Sequence, residues 1–299
     1  MNRDTLHGFV PATVTPFSHT GEIVWEAFAE VLDFLVGRGA SAICVAGDNG
    51  ESWALSAVER GQLVRFAKDR LGDAVPVILG ISAPTMDAVT GYIRAAQENG
   101  ADALLSMPQT YVLKASDEEV MHRFARVSAA TDLPVILYNS PRRAGMSLTV
   151  DQIARLCDAG NVIGLKESQR DFFHHSHLLD RLAERLSVMT GPSHYILPNF
   201  GLGARGFIAT GPELISARPS DLAAIARTPG SAAYRTAHRE LTTIYETLMR
   251  IGTWPSALKA ALELIGVPAG VPRDPVLRLG DKDTDALRAM LDGLGRARG

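Results

Sequence analysis

PVILYN at Pro134–Asn139 and VIGLKES at Val162–Ser168 decide the fold. Each is a short run of apolar and β-branched residues ending in polar side chains, and about twenty residues separate them, the length of a crossover returning the chain to a parallel neighbour. Working outward, the same kind of run recurs at FVPATV from Phe9, AICVAG from Ala42, VPVILGI from Val75, ALLSMP from Ala103, SVMTG from Ser187 and GFIAT from Gly206. Between runs lie amphipathic stretches such as Leu55, Val58, Leu63, Phe66, Ala67 and Leu71, spaced for one helix face. Eight strands, each followed by a helix at intervals of roughly 20 to 33 residues, predict an α/β chain folded as a (β/α)8 TIM barrel. A doubly wound sheet has fewer strands and a Gly-rich first turn. No further strand follows Ser220, and Leu241, Ile244, Tyr245, Leu248 and Ile251 recur at helical spacing. The expected organisation is therefore a barrel over 1–225 and a C-terminal helical domain over 226–299.

Composition narrows the function. Of 299 residues, 46% are hydrophobic and 21% charged, which suits a folded core and excludes disorder as the main state. Net charge is −3 without a block of like charges, so no nucleic-acid partner is expected. Apolar runs are too short to span a bilayer and the N-terminus lacks the apolar stretch of a signal peptide, so the expectation is a cytoplasmic protein with no membrane partner. The two cysteines, Cys44 and Cys157, fit a reducing compartment and support neither a disulfide framework nor a thiolate metal site.

In a parallel barrel the C-terminal strand ends converge on one face, so catalytic residues are sought there. The fifth run ends near Tyr138 and the sixth near Lys166, a phenol and an amine on adjacent strands. An amine held in apolar surroundings is costly to keep charged, and a neutral amine attacks a carbonyl to give an imine. A tyrosine at hydrogen-bond distance can carry the protons of that step. Taken singly, Lys166 reads as a strand-end lysine reaching solvent and Tyr138 as a structural tyrosine. Their pairing favours chemistry.

TPF at Thr15–Phe17, GDNGE at Gly47–Glu51, YNSPRRAG at Tyr138–Gly145, GLKES at Gly164–Ser168 and WPSALKAAL at Trp254–Leu262 together resemble the dihydrodipicolinate synthase and N-acetylneuraminate lyase family of Schiff-base aldolases, over nearly the whole chain. The resemblance implies a (β/α)8 barrel with C-terminal helices, a homotetramer, a small-molecule 2-oxo acid substrate such as pyruvate, and no metal or organic cofactor. It makes Lys166 the imine-forming lysine and Tyr138 the proton relay. Gly191 and Ile208 match positions beside the imine carbon, and Arg143 the arginine that holds a distal carboxylate. Asp48 and Asn49 stand where the family has small residues that bind the 2-oxo acid carboxylate. Asn49 can donate in their place. Asp48 must be protonated, turned toward Tyr138 as a proton acceptor, or paired with a cation, and the relay is the expectation carried forward; otherwise it holds the turn through backbone amides.

Two departures bear on the substrate. The synthases bring in a neighbouring subunit's tyrosine near the end of strand four, where this chain has Thr110, with Tyr111 one place later. The sialic acid lyases place acidic residues after the glycine of strand seven, where Pro192 and Ser193 follow Gly191 here. The expected activity is a class I lyase of pyruvate or a related 2-oxo acid. Alternatives are dihydrodipicolinate synthase proper, joining pyruvate to aspartate semialdehyde, and a non-catalytic 2-oxo acid-binding barrel. His174, His175 and His177 suggest a metal site by spacing, but a partly exposed first helical turn explains them more simply. The glycines of GLGARG near Gly201 are read as turn residues, since no P-loop lysine follows.

Overall fold

The computed structural model describes residues 1–112 and 114–296. Strands and helices alternate: β1 (Gly8–Phe9), α1 (Trp25–Gly37), β2 (Ile43–Val45), α2 (Ala57–Leu71), β3 (Val77–Gly80), α3 (Met86–Glu98), β4 (Ala103–Ser106), α4 (Asp117–Ala129), β5 (Val135–Asn139), α5 (Pro141–Ala144), α6 (Val150–Asp158), β6 (Val162–Glu167), α7 (Phe172–Leu182), β7 (Ser187–Thr190), α8 (Ile196–Gly201) and β8 (Gly206–Phe207). The chain then continues as α9 (Leu222–Ala226), α10 (Ala232–Arg250), α11 (Ser256–Leu264) and α12 (Asp281–Gly293). All strand pairs are parallel in the order β1-β8-β7-β6-β5-β4-β3-β2. The ring closes where Ala12 bridges Cys44, with Thr13 N donating to Cys44 O and Cys44 N to Pro11 O, each at 2.9 Å. The eight expected strands are present, and the first is short because Pro11 has no N–H to continue the ladder.

Strands covered on both faces read as unbroken apolar runs, and their two-residue period sorts the side chains. Ile78, Leu105, Ile136, Tyr138 and Met189 point into the barrel, while Val135, Leu137, Leu165 and Val188 pack outward under the helices. Leu6 plugs the floor, and a Cβ on Gly164 would lie 2.4 Å from its Cδ2, so a side chain there would have to displace Leu6. On α2 the expected face is partly right: Leu63 and Ala67 are buried, but Val58 is 69% exposed. A capping box from Ser56 and Glu59 sets the start of that helix after Leu55, which turns Val58 outward. Ala237, Leu241, Ile244 and Leu248 bury one side of α10 in the main core, and Ile251 falls beyond its last turn.

The TPF, GDNGE and WPSALKAAL motifs meet in a buried ionic cluster. Lys259 Nζ lies 2.5 Å from Glu51 Oε1 and donates to Thr15 O and Val271 O, each at 2.7 Å. Glu51 also accepts from Arg273 N at 2.8 Å, and the Arg273 guanidinium sits 4.1 Å over the Phe17 ring. Burial drags Lys259 down to about 8 although Glu51 pulls the other way. The cluster fastens the loop after β2 to α11.

Candidate active site

Tyr138 and Lys166 are Cα partners across β5 and β6, so both point into the barrel at its C-terminal end. Each is 5% exposed, and Lys166 Nζ lies 4.2 Å from the Tyr138 ring centroid. Among the described residues Lys166 Nζ has no hydrogen-bond or ion-pair partner, unlike Lys259. Together with Asp48, Asn49, Arg143, Gly191 and Ile208 the two line one cavity of ≈ 60 Å³, so all seven sequence-derived candidates converge.

Each is held by the end of its own strand. Asn49, after β2, donates from Nδ2 to Ala12 O and accepts from Thr210 Oγ1 at Oδ1, both at 3.0 Å, which leaves one amide hydrogen for a ligand. Gly191 donates from N to Glu167 O at 2.7 Å, and a Cβ there would fall 2.0 Å from Ser168 Oγ and 2.7 Å from Glu167 O. Glycine is required by that close approach. Beside Lys166, Cys44 is buried, and burial pushes its thiol up to about 11 against the pull of the lysine charge.

Asp48 pairs with a cation: Arg143 Nε donates to its Oδ2 at 2.9 Å. No hydrogen bond joins Asp48 to Tyr138 among the described residues, so the expected relay contact is not made. Arg143 comes from α5, a four-residue helix with Pro141 at its first position and Gly145 in the left-handed conformation just past its end. Sequence reasoning passed over Arg142 on the same helix, Arg170 after β6, Thr210 after β8, and Tyr245, Met249 and Trp254 from the C-terminal helical segment, all of which line the cavity. Thr110 and Tyr111 do not line it; Tyr111 projects from the loop after β4, 89% exposed, with φ at +69°.

Of the three histidines, His174 is half-buried and His177 exposed, as a partly exposed first turn requires, and His175 departs from it. His175 is fully buried, its Nε2 2.7 Å from Gln169 O and its Nδ1 2.9 Å from Asn199 Nδ2. His174 Nε2 lies 3.1 Å from Glu167 Oε2; burial opposes its proton, but Glu167 outweighs burial and raises its pKa. Glu167 is in turn gripped by Asn139 Nδ2 and Gln169 N, so this group braces the strand end that carries Lys166. Gly203 takes φ of +102°, which makes GLGARG a turn.

The sequence model of the dihydrodipicolinate synthetase family matches residues 5–294. The chain belongs to that family. Among its relatives, a 4-hydroxy-tetrahydrodipicolinate synthase of Heliobacterium modesticaldum is 30% identical over 286 residues, covering 96% of this chain and 95% of the relative. One of Pseudomonas aeruginosa is 30% identical and covers 97% and 99%. In three dimensions the family fold is matched by the dihydrodipicolinate synthase of Aquifex aeolicus, with TM-score 0.87, 27% identity and coverage of 98% and 99%. The chloride-inhibited synthase of Acinetobacter baumannii, solved with pyruvate, gives TM-score 0.91 at 25% identity, covering 97% of this chain and 99% of that one.

Proposed function

We propose that the protein is a class I lyase that forms a Schiff base with pyruvate or a related 2-oxo acid and makes or breaks an aldol bond, or expels a β-hydroxyl, through that imine. The observation that carries this reading is the buried Lys166 amine, unpartnered among the described residues, facing a cavity beside Tyr138. Neutral Nζ attacks C2 of the oxo acid, the carbinolamine loses water, and the iminium withdraws electrons so that C3 can lose a proton or a carbon–carbon bond can part. Tyr138 moves protons to and from the departing oxygen. The free Nδ2 hydrogen of Asn49 holds the substrate carboxylate, with Gly191 and Ile208 forming the wall beside it. At ~10–15 Å³ per water the cavity has room for roughly four to six waters, matching the six heavy atoms of pyruvate.

Borohydride reduction in the presence of pyruvate, followed by peptide mass analysis, tests the reading: the adduct should sit on Lys166 and vanish in Lys166→Ala. An adduct on another lysine, or none, overturns it. Turnover assays with 2-oxo-3-deoxy acids then separate an enzyme from a binder. A second reading, condensation of pyruvate with aspartate semialdehyde, is favoured by the names of the relatives, and turnover of that pair, assayed beside the 2-oxo-3-deoxy acids, decides it. The proposal extends to a catalytic unit over 1–225 with helices beyond it, and to a cytoplasmic homotetramer. Sedimentation of the purified protein reads the four-copy mass.

A further inference from the structure

The cavity at Lys166 shares Arg142, Arg170, Tyr245 and Met249 with a neighbouring chamber of ≈ 530 Å³, so the two adjoin at that wall. Three guanidinium-bearing residues, Arg142, Arg143 and Arg170, line the Lys166 cavity. Arg143 is compensated by Asp48 at 2.9 Å, but Arg142 and Arg170 have no carboxylate partner among the described residues. Among the described residues Arg142 Nη1 donates only to the soft Met249 Sδ, at 3.7 Å, and Arg170 lies 5.9 Å from the Tyr245 ring centroid. Glu246, the carboxylate of the neighbouring chamber, is held by Arg250 at 2.6 Å. The positive field is felt nearby: His194 is pushed below its ordinary value by burial and then by Arg170.

Two uncompensated, exposed guanidiniums on the wall between an imine-forming cavity and the chamber beside it fit a ligand that extends outward and ends in negative charge. We propose that Arg142 and Arg170 select 2-oxo acids bearing a second anionic group at the end remote from the imine carbon. The inference rests on the imine reading for Lys166 and adds to it the chemical class of the substrate's far end. Arg143, tied to Asp48, is not the principal anchor. Both arginines are exposed, so their donors are open to an arriving ligand.

The test compares paired probes of equal chain length, 2-oxoadipate against 2-oxohexanoate and 2-oxoglutarate against 2-oxopentanoate, by the concentration giving half-maximal borohydride trapping. One charge-assisted contact is worth ~10-fold or more, so in the wild-type protein the charged member of the better pair should trap at about tenfold lower concentration, with the advantage shrinking in high salt. In Arg142→Gln/Arg170→Gln the advantage should fall to within about twofold. A 2-oxo acid ending in a phosphomonoester, set against its alcohol, tells which anion is taken. A preference for either charged member supports the proposal; no preference in the wild type, or one that survives in the double variant, overturns it. Wild-type trapping of pyruvate is the separate control: its failure removes the imine reading, whereas normal pyruvate trapping without a charged-end preference removes this inference alone.

Discussion

Replacing Lys259 with methionine should unfold the protein far more readily while sparing the chemistry. The ammonium and the Glu51 carboxylate are almost wholly buried, 2% and 0% exposed at their side chains, and 2.5 Å apart. Removing one partner of a buried pair costs ~3–5 kcal/mol, because the other charge stays behind without compensation. Methionine fills the stem but also strips Thr15 O and Val271 O of their donor, which keeps the loss at the upper part of that range. Urea unfolding monitored by tryptophan fluorescence measures it. Lys259→Met combined with Glu51→Gln should lose less than the sum of the singles, by ~1–3 kcal/mol, since both act on one interaction. The folded fraction of Lys259→Met should still form the pyruvate adduct at Lys166. A loss under about 1 kcal/mol in the single variant, a value ordinary for exposed pairs, would refute the reasoning.

Asp48→Asn frees Arg143 and adds one positive charge to the cavity, so KM for a 2-oxo acid should fall about two- to fivefold at low salt with kcat little changed; a hundredfold drop in kcat would instead make Asp48 a proton carrier. Tyr138→Phe should still trap pyruvate slowly but lose ~10²- to 10⁴-fold in turnover, and near-normal turnover would hand the proton transfers to water. Glu213 is buried, and burial raises its carboxyl to about 7 against the pull of the Gly211 amide and Arg38. The native state therefore binds more protons than the unfolded chain between its ordinary value of 4.5 and about 7, and stability from this group falls as pH rises through that window. Glu213→Gln should gain at most ~3 kcal/mol at pH 8 and nothing near pH 4; parallel pH profiles for the two proteins would count against this.

The strand runs, and with them the pairing of Tyr138 with Lys166, were legible because a two-residue period fixes which side chains face inward once the strands are found. What could not be read is whatever depends on separate loops meeting. Asp48 and Arg143 lie 95 positions apart on different βα turns, and nothing local to either announces the ion pair. Tyr245 was legible as a helix-face residue, yet its place on the cavity wall depends on how α10 packs, a tertiary matter. His175 shows the same limit: its first-turn position suggested exposure, while Asn199 and Gln169, brought in by α8 and the loop after β6, bury it with both ring nitrogens hydrogen-bonded. The motifs TPF and WPSALKAAL carried the family signal, but Thr15, Phe17 and Lys259 serve the ionic cluster rather than the cavity.

Asn49 is hydrogen-bonded to Ala12 beyond β1 and to Thr210 beyond β8, across the joint where the barrel ring closes. The amide that would hold a substrate carboxylate is also the cross-tie of that joint, so any change of ligand preference made at Asn49 draws on the integrity of the fold. Arg142 and Arg170 carry no such duty, since their guanidiniums hold no backbone in place among the described residues. New specificities can therefore accumulate at the mouth of the site while its floor stays unchanged, and a directed-evolution library should place its diversity there.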